Sequence, residues 1–208
     1  MSIVDIINRE FAKEYNLSWL QHSSRRGCCY NLIAVRHTLI NNKPLIKSYP
    51  SFFHEYKGNI NEIQCIMSVE TDTHVLIGVH SPMAKEIRFK VNTTLKNLIK
   101  RSDKPTIICG DFNTFPDSEG KEQIADLCEK CDVQKLENTK LTFRAYPYDV
   151  FVSKADPEPL DHCFFKNLDV YGLNIIGYKE TLCKKNSIKF KDDTYFISDH
   201  YLSTFNYK

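Results

Sequence analysis

The segment TIICGDFNTFPD, residues 106–117, leads from a short apolar stretch into a glycine, a carboxylate and a carboxamide. Asp111 and Asn113 are two residues apart, and in an extended strand such a pair points to the same side. A carboxylate and an amide that converge at the end of a buried strand can bind one ligand together. The spacing therefore predicts a functional site at this strand end.

Further ionisable side chains stand beside apolar runs elsewhere in the chain. His80 ends HVLIGVH, Asp161 opens LDHCFF, and Asp199 with His200 opens SDHYLSTF. Strands can hold such groups rigidly around one edge of a core, where they would serve proton transfer and cation binding. Taken singly, a histidine or aspartate at a strand end is more often a turn or capping residue, so the hypothesis depends on the combination.

The elements that must position these residues follow from hydrophobic periodicity. Apolar residues at helical spacing predict helices over residues 2–15, 84–101 and 118–131. The predicted strands are Leu32 to Ile40, Glu62 to Glu70, His74 to His80, Thr106 to Cys109, Leu160 to Phe165, Leu173 to Lys179 and His200 to Tyr207. The turn-like residues 71–73 join two of these strands in an antiparallel hairpin. The turn-rich segment 138–159 is predicted to be a surface excursion.

Composition and charge limit the class of protein. The 208 residues, 42% of them hydrophobic, predict one globular domain over 1–208, a layered α/β domain in which strands dominate. Lys and Arg number 28 against 26 Asp and Glu, so any binding of nucleic acid must come from a local site. No apolar run is long enough to span a membrane, and the first residues lack the features of a signal peptide. We expect an intracellular monomer, cytoplasmic or nuclear.

The cysteines favour reduced thiols over a disulfide framework, because several lie inside apolar strand-like runs. They are Cys28, Cys29, Cys65, Cys109, Cys128, Cys131, Cys163 and Cys183. Cys128 and Cys131 have the spacing of half a zinc site, but no second half follows. Adjacent turns of a helix explain that spacing equally well.

In order and spacing, these motifs resemble the endonuclease/exonuclease/phosphatase superfamily. The resemblance is carried by GDFN, a later LDH and a near-terminal SDH, preceded by a strand that ends in histidine. That superfamily includes DNase I-like nucleases, base-excision endonucleases, sphingomyelinases and inositol-phosphate phosphatases. The resemblance implies a DNase I-like, four-layer α/β/β/α sandwich. It also implies cleavage of phosphate esters with a divalent cation, Mg²⁺ or Mn²⁺.

The resemblance assigns a histidine and carboxylate pair to water activation. His200 matches the family histidine that acts as general base on the attacking water or stabilises the phosphoryl transition state. Asp161 matches the carboxylate that orients this histidine. The chemistry agrees, because imidazole titrates near pH 6.5 and a neighbouring carboxylate fixes its tautomer while stabilising the imidazolium.

The remaining motif residues receive roles around the phosphate. Asp111 and Asn113 match the pair around the nucleophile and the scissile phosphate. Asp199 matches an aspartate near the metal. His80 matches the histidine that contacts the phosphate and assists the leaving group. Magnesium often takes only one or two protein carboxylates, with water and substrate phosphate completing its shell.

The chain departs from the family pattern at its start. Members begin with a strand that carries an Asn and a second strand ending in Gln-Glu, whose glutamate is a principal metal ligand. Residues 4–20, VDIINREFAKEYNLSWL, look instead like the helix after that glutamate, so we expect an N-terminally shortened domain. Glu10 and Glu14 lie on a helical pattern and cannot be carried over, which leaves the principal metal-binding glutamate unassigned.

Two functions from different classes stay open. One is a phosphodiester or phosphomonoester hydrolase, most like a nuclease, with nucleic acid expected as the substrate by analogy with the many nucleases of the family. The other is a catalytically impaired or inactive member that binds a phosphate ligand. Residues 146–159 lie where members vary their substrate contacts, although a solvated loop is the simpler interpretation. Tyr30, Arg36 and Arg88 are candidate phosphate contacts, and for each of them a solvated surface position is the simpler interpretation.

Overall fold

The computed structural model describes residues 3–22, 29–40, 45–82, 84–114, 118–136, 160–176, 188–190, 193–195 and 202–207. Its helices are α1 (Ile3–Phe11), α2 (Lys85–Lys100) and α3 (Ser118–Cys131), with a 3-10 turn at His37–Leu39. The strands are β1 (Tyr15–His22), β2 (Cys29–Arg36), β3 (Ile46–Ser48), β4 (Ser51–Tyr56), β5 (Asn59–Gln64), β6 (Ile66–Glu70), β7 (Val75–His80), β8 (Thr106–Asp111), β9 (Gln134–Lys135), β10 (Asp161–Lys166), β11 (Val170–Ile176), β12 (Ile188–Phe190), β13 (Asp193–Tyr195) and β14 (Leu202–Tyr207).

A central sheet contains six of these strands in the order β3-β6-β7-β8-β10-β9. β7 and β8 are parallel, with α2 as the crossover between them, whereas β10 is antiparallel to β8. The carboxyl ends of β7 and β8 and the amino end of β10 therefore meet at one edge of the sheet. This edge is where the sequence motifs lie.

One face of the central sheet packs against α2 and α3. The buried residues of this core include Val75, Ile77, Val79, Ile108 and Phe164 from the sheet and Ile87, Val91, Leu95, Ile99 and Leu127 from the helices. The α2 members recur every four residues, so one stripe of the helix covers the sheet. This packing confirms the helix predicted from that periodicity.

The opposite face of the sheet packs against β1 and β2, which form an antiparallel pair. Leu20 and Val35 of that pair are buried together with Met67 and Val69 of β6. β2 also lies close to β7 at Gly78, where an added Cβ would be 3.6 Å from the side chain of Ile33. A second strand layer thus covers the central sheet on the side away from α2 and α3.

The interpretation of residues 4–20 as one helix is wrong. α1 ends at Phe11, and residues 15–22 form β1, whose register pairs Tyr15 with Arg36. The pairing partner lies some twenty residues further along the chain, so the local helical pattern gave no sign of it. Glu10 is exposed on α1, where it pairs with Arg9.

Several other predicted bounds shift. The predicted strand Glu62 to Glu70 divides at Cys65 into β5, which pairs with β4, and β6, which pairs with β7. β8 runs two residues beyond its predicted end, to Asp111. The hairpin through residues 71–73, the helix at 118–131 and the strand from residue 160 are confirmed. The excursion predicted at 138–159 lies outside the described residues.

Within the described ranges, no helix combines the length and the apolar character needed to cross a bilayer. Cys65, Cys109, Cys128, Cys131 and Cys163 are thiols. Cys128 and Cys131 lie on successive turns of α3. The described part of the chain contains no group of three His, Cys, Asp or Glu side chains placed to hold a metal ion.

Candidate active site

Three sequence-predicted site residues form one row across the edge of the central sheet. The parallel register of β7 and β8 places His80 opposite Asp111, and the antiparallel register of β10 and β8 places Asp161 opposite the same aspartate. Directly opposite residues project from the same face of a sheet. His80 Nε2 lies 3.8 Å from Asp111 Oδ2. We call His80, Asp111 and Asp161 the site row.

The glycine of the GDFN motif permits this row to form. Gly110 has φ 148°, and a Cβ at this position would lie 1.9 Å from the carbonyl oxygen of Val79 on β7. A side chain would therefore force the two parallel strands apart just before Asp111. The motif's glycine is explained by the close approach of the two strands.

Asn113 reaches Asp111 by a different route from the one that the sequence predicted. β8 ends at Asp111, and Asn113 takes the left-handed conformation, φ 47°, which asparagine tolerates better than most residues. Its backbone N–H donates to Asp111 Oδ1 at 2.7 Å, and its Nδ2 donates to the carbonyl oxygen of Ser81 at 2.5 Å. The two motif residues are joined by a tight turn and not by strand alternation.

Arg88 of α2 binds the backbone of this turn. Its Nη1 donates to the carbonyl oxygen of Asn113 at 2.5 Å, and its Nε is buried without a hydrogen-bond partner among the described residues. The interpretation of Arg88 as a solvated side chain is therefore wrong. The helical period contained the signal, because the buried residues Val91 and Leu95, three and seven residues further along α2, lie on the same side of the helix as Arg88.

The histidine of the LDH motif anchors the same segment on the helix-facing side of the sheet. His162 is buried, its Nε2 shares a 3.0 Å hydrogen bond with Thr114 Oγ1, and its ring packs edge-on against Phe112 with centroids 5.7 Å apart. Burial lowers the pKa of His162 to about 4, with Lys135 acting in the same direction and Asp161 opposing it. His162 is thus neutral near pH 7 and holds the loop after Asp111 in place.

Two predicted site residues, Asp199 and His200, lie outside the described residues, so their distances from the site row are not defined. Of the predicted phosphate contacts, Arg36 is exposed and donates through Nε to Tyr15 Oη at 3.1 Å, a surface position. Of Tyr30 only the backbone is described, as part of β2.

The site row has the donor chemistry for the divalent cation that the resemblance implies. Asp111 and Asp161 bring carboxylate oxygens to one sheet edge, and hard cations such as Mg²⁺ prefer oxygen ligands. The side chain of Asp111 is 16% exposed, which leaves it accessible from solvent. Magnesium completes its shell with water and substrate phosphate and often takes only one or two protein carboxylates, although the described residues contain no group of three such side chains placed around one ion.

Comparison with known proteins now identifies the class. The sequence model of the endonuclease/exonuclease/phosphatase family matches residues 22–200. The chain belongs to this family, whose members are phosphoesterases that include nucleases and phosphatases. The resemblance drawn from GDFN, LDH and SDH is confirmed.

Solved structures of the family share the fold. A 3'-5' exonuclease from Neisseria meningitidis has a TM-score of 0.63 at 11% identity, with 96% of this chain and 82% of that chain covered. A mannosyl-6-phosphatase from Bacteroides thetaiotaomicron has a TM-score of 0.57 at 13% identity, with 92% of this chain and 77% of the phosphatase chain covered. The human Nocturnin catalytic domain with bound sulfate anion has a TM-score of 0.57 at 11% identity, with 100% of this chain and 76% of that chain covered. No curated protein sequence matches the chain.

These likenesses confirm the predicted DNase I-like α/β fold class. At 11–13% identity they show the fold alone. The chemistry of this particular chain must therefore be argued from its own residues.

Proposed function

We propose that this protein is a divalent-metal-dependent phosphoester hydrolase that cleaves phosphodiester bonds, with nucleic acid as its substrate class. The observation that supports this most is the register that places His80 and Asp161 on either side of Asp111. Strands from three parts of the chain bring a histidine and two carboxylates to one sheet edge. Their partial exposure leaves them accessible to a substrate.

Water activation is assigned to His200 with Asp161. The imidazole would take the proton from the attacking water, and the carboxylate would hold the ring in the required tautomer and stabilise the imidazolium that forms. Asp161 belongs to the site row, so its partner histidine would act at this edge. The motif SDH lies just before β14 in the chain.

The phosphate is assigned to the other side of the row. Asn113, whose amide is held by Ser81, and His80 would donate hydrogen bonds to phosphate oxygens, and His80 would supply a proton to the leaving oxygen. Asp111 would orient the attacking water. Asp199 and Asp111 would hold Mg²⁺ or Mn²⁺, which would supply positive charge to the phosphate oxygens, while Asp161 serves His200.

The test compares hydrolysis of bis-p-nitrophenyl phosphate by the wild type, Asp111→Asn and His200→Ala in magnesium buffer. Loss of a positioned acid–base or orienting group should lower the rate by ~10²–10⁴-fold in both variants. Asp103→Asn is the matched control, because Asp103 is exposed in the loop at the other end of β8. Its rate should equal that of the wild type.

Three results would contradict the proposal or part of it. Unchanged rates in both site variants would remove this site from the chemistry. Substrate binding by the wild type without magnesium-stimulated turnover would identify an inactive, phosphate-binding member of the family. Turnover of p-nitrophenyl phosphate together with no cleavage of single- or double-stranded DNA would replace the nuclease assignment with a phosphomonoesterase.

A further inference from the structure

Two cysteines lie directly behind the site row, on the same face of the same two strands. Cys109 precedes Asp111 by two residues on β8, and Cys163 follows Asp161 by two residues on β10. The antiparallel register places the two cysteines opposite each other. Because side chains alternate along a strand, both thiols project from the face that carries the site row.

The side chains of Cys109 and Cys163 are hydrogen-bonded to each other. Directly opposite residues of an antiparallel pair have Cα atoms about 4.5–5.5 Å apart, and a disulfide needs about 4.4–6.8 Å. The Cα separation expected for this register is therefore compatible with a disulfide.

Access distinguishes this pair from Cys65 and Cys131, whereas Cys128 on α3 is partly exposed as well. Cys109 and Cys163 are both partly exposed, so a small oxidant can reach them. Cys65 is fully buried, and buried Cys131 contacts the carbonyl oxygen of Lys96 through its Sγ at 4.0 Å. Reactivity toward an external oxidant should follow these differences in access.

We propose that Cys109 and Cys163 are a site of reversible oxidative modification, in which a peroxide joins their sulfurs in a disulfide directly behind the site row. In the first step one thiol sulfur takes an oxygen from the peroxide, giving a sulfenic acid and one water. In the second step the other thiol sulfur displaces that oxygen, forming the S–S bond and releasing a second water. The two cysteines lose two electrons and two protons in total, and the peroxide is reduced to water.

The test uses the full chain treated with hydrogen peroxide, followed by alkylation of remaining thiols, tryptic digestion and mass spectrometry. Cleavage after lysine and arginine, but not between Lys104 and Pro105, releases peptides 102–121 and 155–166, each with a single cysteine. We expect a cross-linked species of these two peptides, lighter by two hydrogen atoms than their sum. It should disappear after treatment with dithiothreitol.

Two serine variants make the result specific. Cys163→Ser should abolish the cross-linked species, whereas the control Cys128→Ser should leave it unchanged. Recovery of both peptides in alkylated form after peroxide treatment would overturn the proposal. So would irreversible oxidation of the two cysteines separately, or their cross-linking to Cys28, Cys29 or Cys183. The readout is a mass, so a failure here is distinct from a failure of the proposed hydrolase.

Discussion

The two faces of the central strands β7, β8 and β10 differ in what they carry. On the helix-facing side, Val79, Ile108 and Phe164 are at most 2% exposed and belong to the main core. On the other side, the same strands carry the partly exposed site row and the thiol pair. Adjacent residues of one strand thus serve stability and candidate chemistry separately. Substitutions on the two faces should therefore have separable effects.

The largest effect on stability is expected where the strands approach most closely. Gly110→Ala would place a Cβ 1.9 Å from the Val79 carbonyl oxygen in a backbone conformation that alanine rarely adopts. We expect a loss of roughly 4 kcal/mol in the free energy of unfolding, because strain and steric overlap add. Urea denaturation followed by circular dichroism would measure it.

Gly58→Ala is the matched control for that substitution. Gly58 also has a positive φ, 73°, but nothing lies within 4 Å of the Cβ that alanine would add. Its cost should be limited to backbone strain, about 1 kcal/mol. Equal losses in the two variants would show that the approach of β7 to β8 is not what requires glycine at residue 110.

The next effect tests the helix-facing side alone. Ile108→Ala removes a fully buried side chain from the main core and should cost about 3 kcal/mol of unfolding free energy, with phosphodiester hydrolysis retained under native conditions. Ile107→Ala, on the opposite face of the same strand, is the control, and it should cost less because Ile107 is only partly buried. A larger loss at Ile107 would reverse the assignment of the two faces.

The pH dependence of stability should report on His162. Its pKa is about 4 in the folded protein and ordinarily near 6.5, so the unfolded chain binds more protons between these values. The stability contributed by neutral His162 is therefore fully present above pH 6.5 and is lost as the pH falls toward 4. By about pH 5 the free energy of unfolding should have fallen by about 2 kcal/mol.

His162→Gln isolates this contribution. Glutamine does not titrate and can still hydrogen-bond to Thr114, so unfolding free energies at pH 7 and 5 should differ less in the variant than in the wild type. Lys135 and Asp161 act on the same histidine and stay in place in both proteins. An identical pH dependence in the two proteins would contradict the buried, neutral state of His162.

Local patterns predicted most of the elements that hold the site. The four-residue period of α2 and the apolar run before GDFN are properties of short segments, so both could be found in the sequence. β1 could not be found in this way, because its extended form depends on pairing with β2. Helix α1 also ends shortly before β1 begins, so the sequence pattern suggested a continuous helix. His80, Asp111 and Asp161 could be chosen as site candidates from the sequence, but only the strand register defines their arrangement as a row.

The contacts around GDFN were less predictable. Alternation along a strand suggested the proximity of Asp111 and Asn113. In the structure a turn produces it, with Asn113 in the left-handed conformation that many other residues disfavour. No role was predicted for the LDH histidine, and strand alternation turns its side chain toward the core. Which face is buried depends on the helices packed there, and these lie elsewhere in the chain.

The smallest expected effect crosses from the helix layer to the site. Arg88 belongs to α2, but its guanidinium binds the carbonyl of Asn113, so Arg88→Ala should loosen the turn that holds Asn113 against Asp111. We expect kcat for phosphodiester hydrolysis to fall about tenfold, equivalent to about 1.4 kcal/mol, with the protein still folded in circular dichroism. Arg88→Lys, which keeps one charged donor, should recover part of the rate. The exposed Arg101 provides the control, Arg101→Ala, with no expected change. If Arg88→Ala leaves kcat unchanged, the turn is held by Ser81 and Asp111 alone, and the helix layer contributes stability but no positioning to the site.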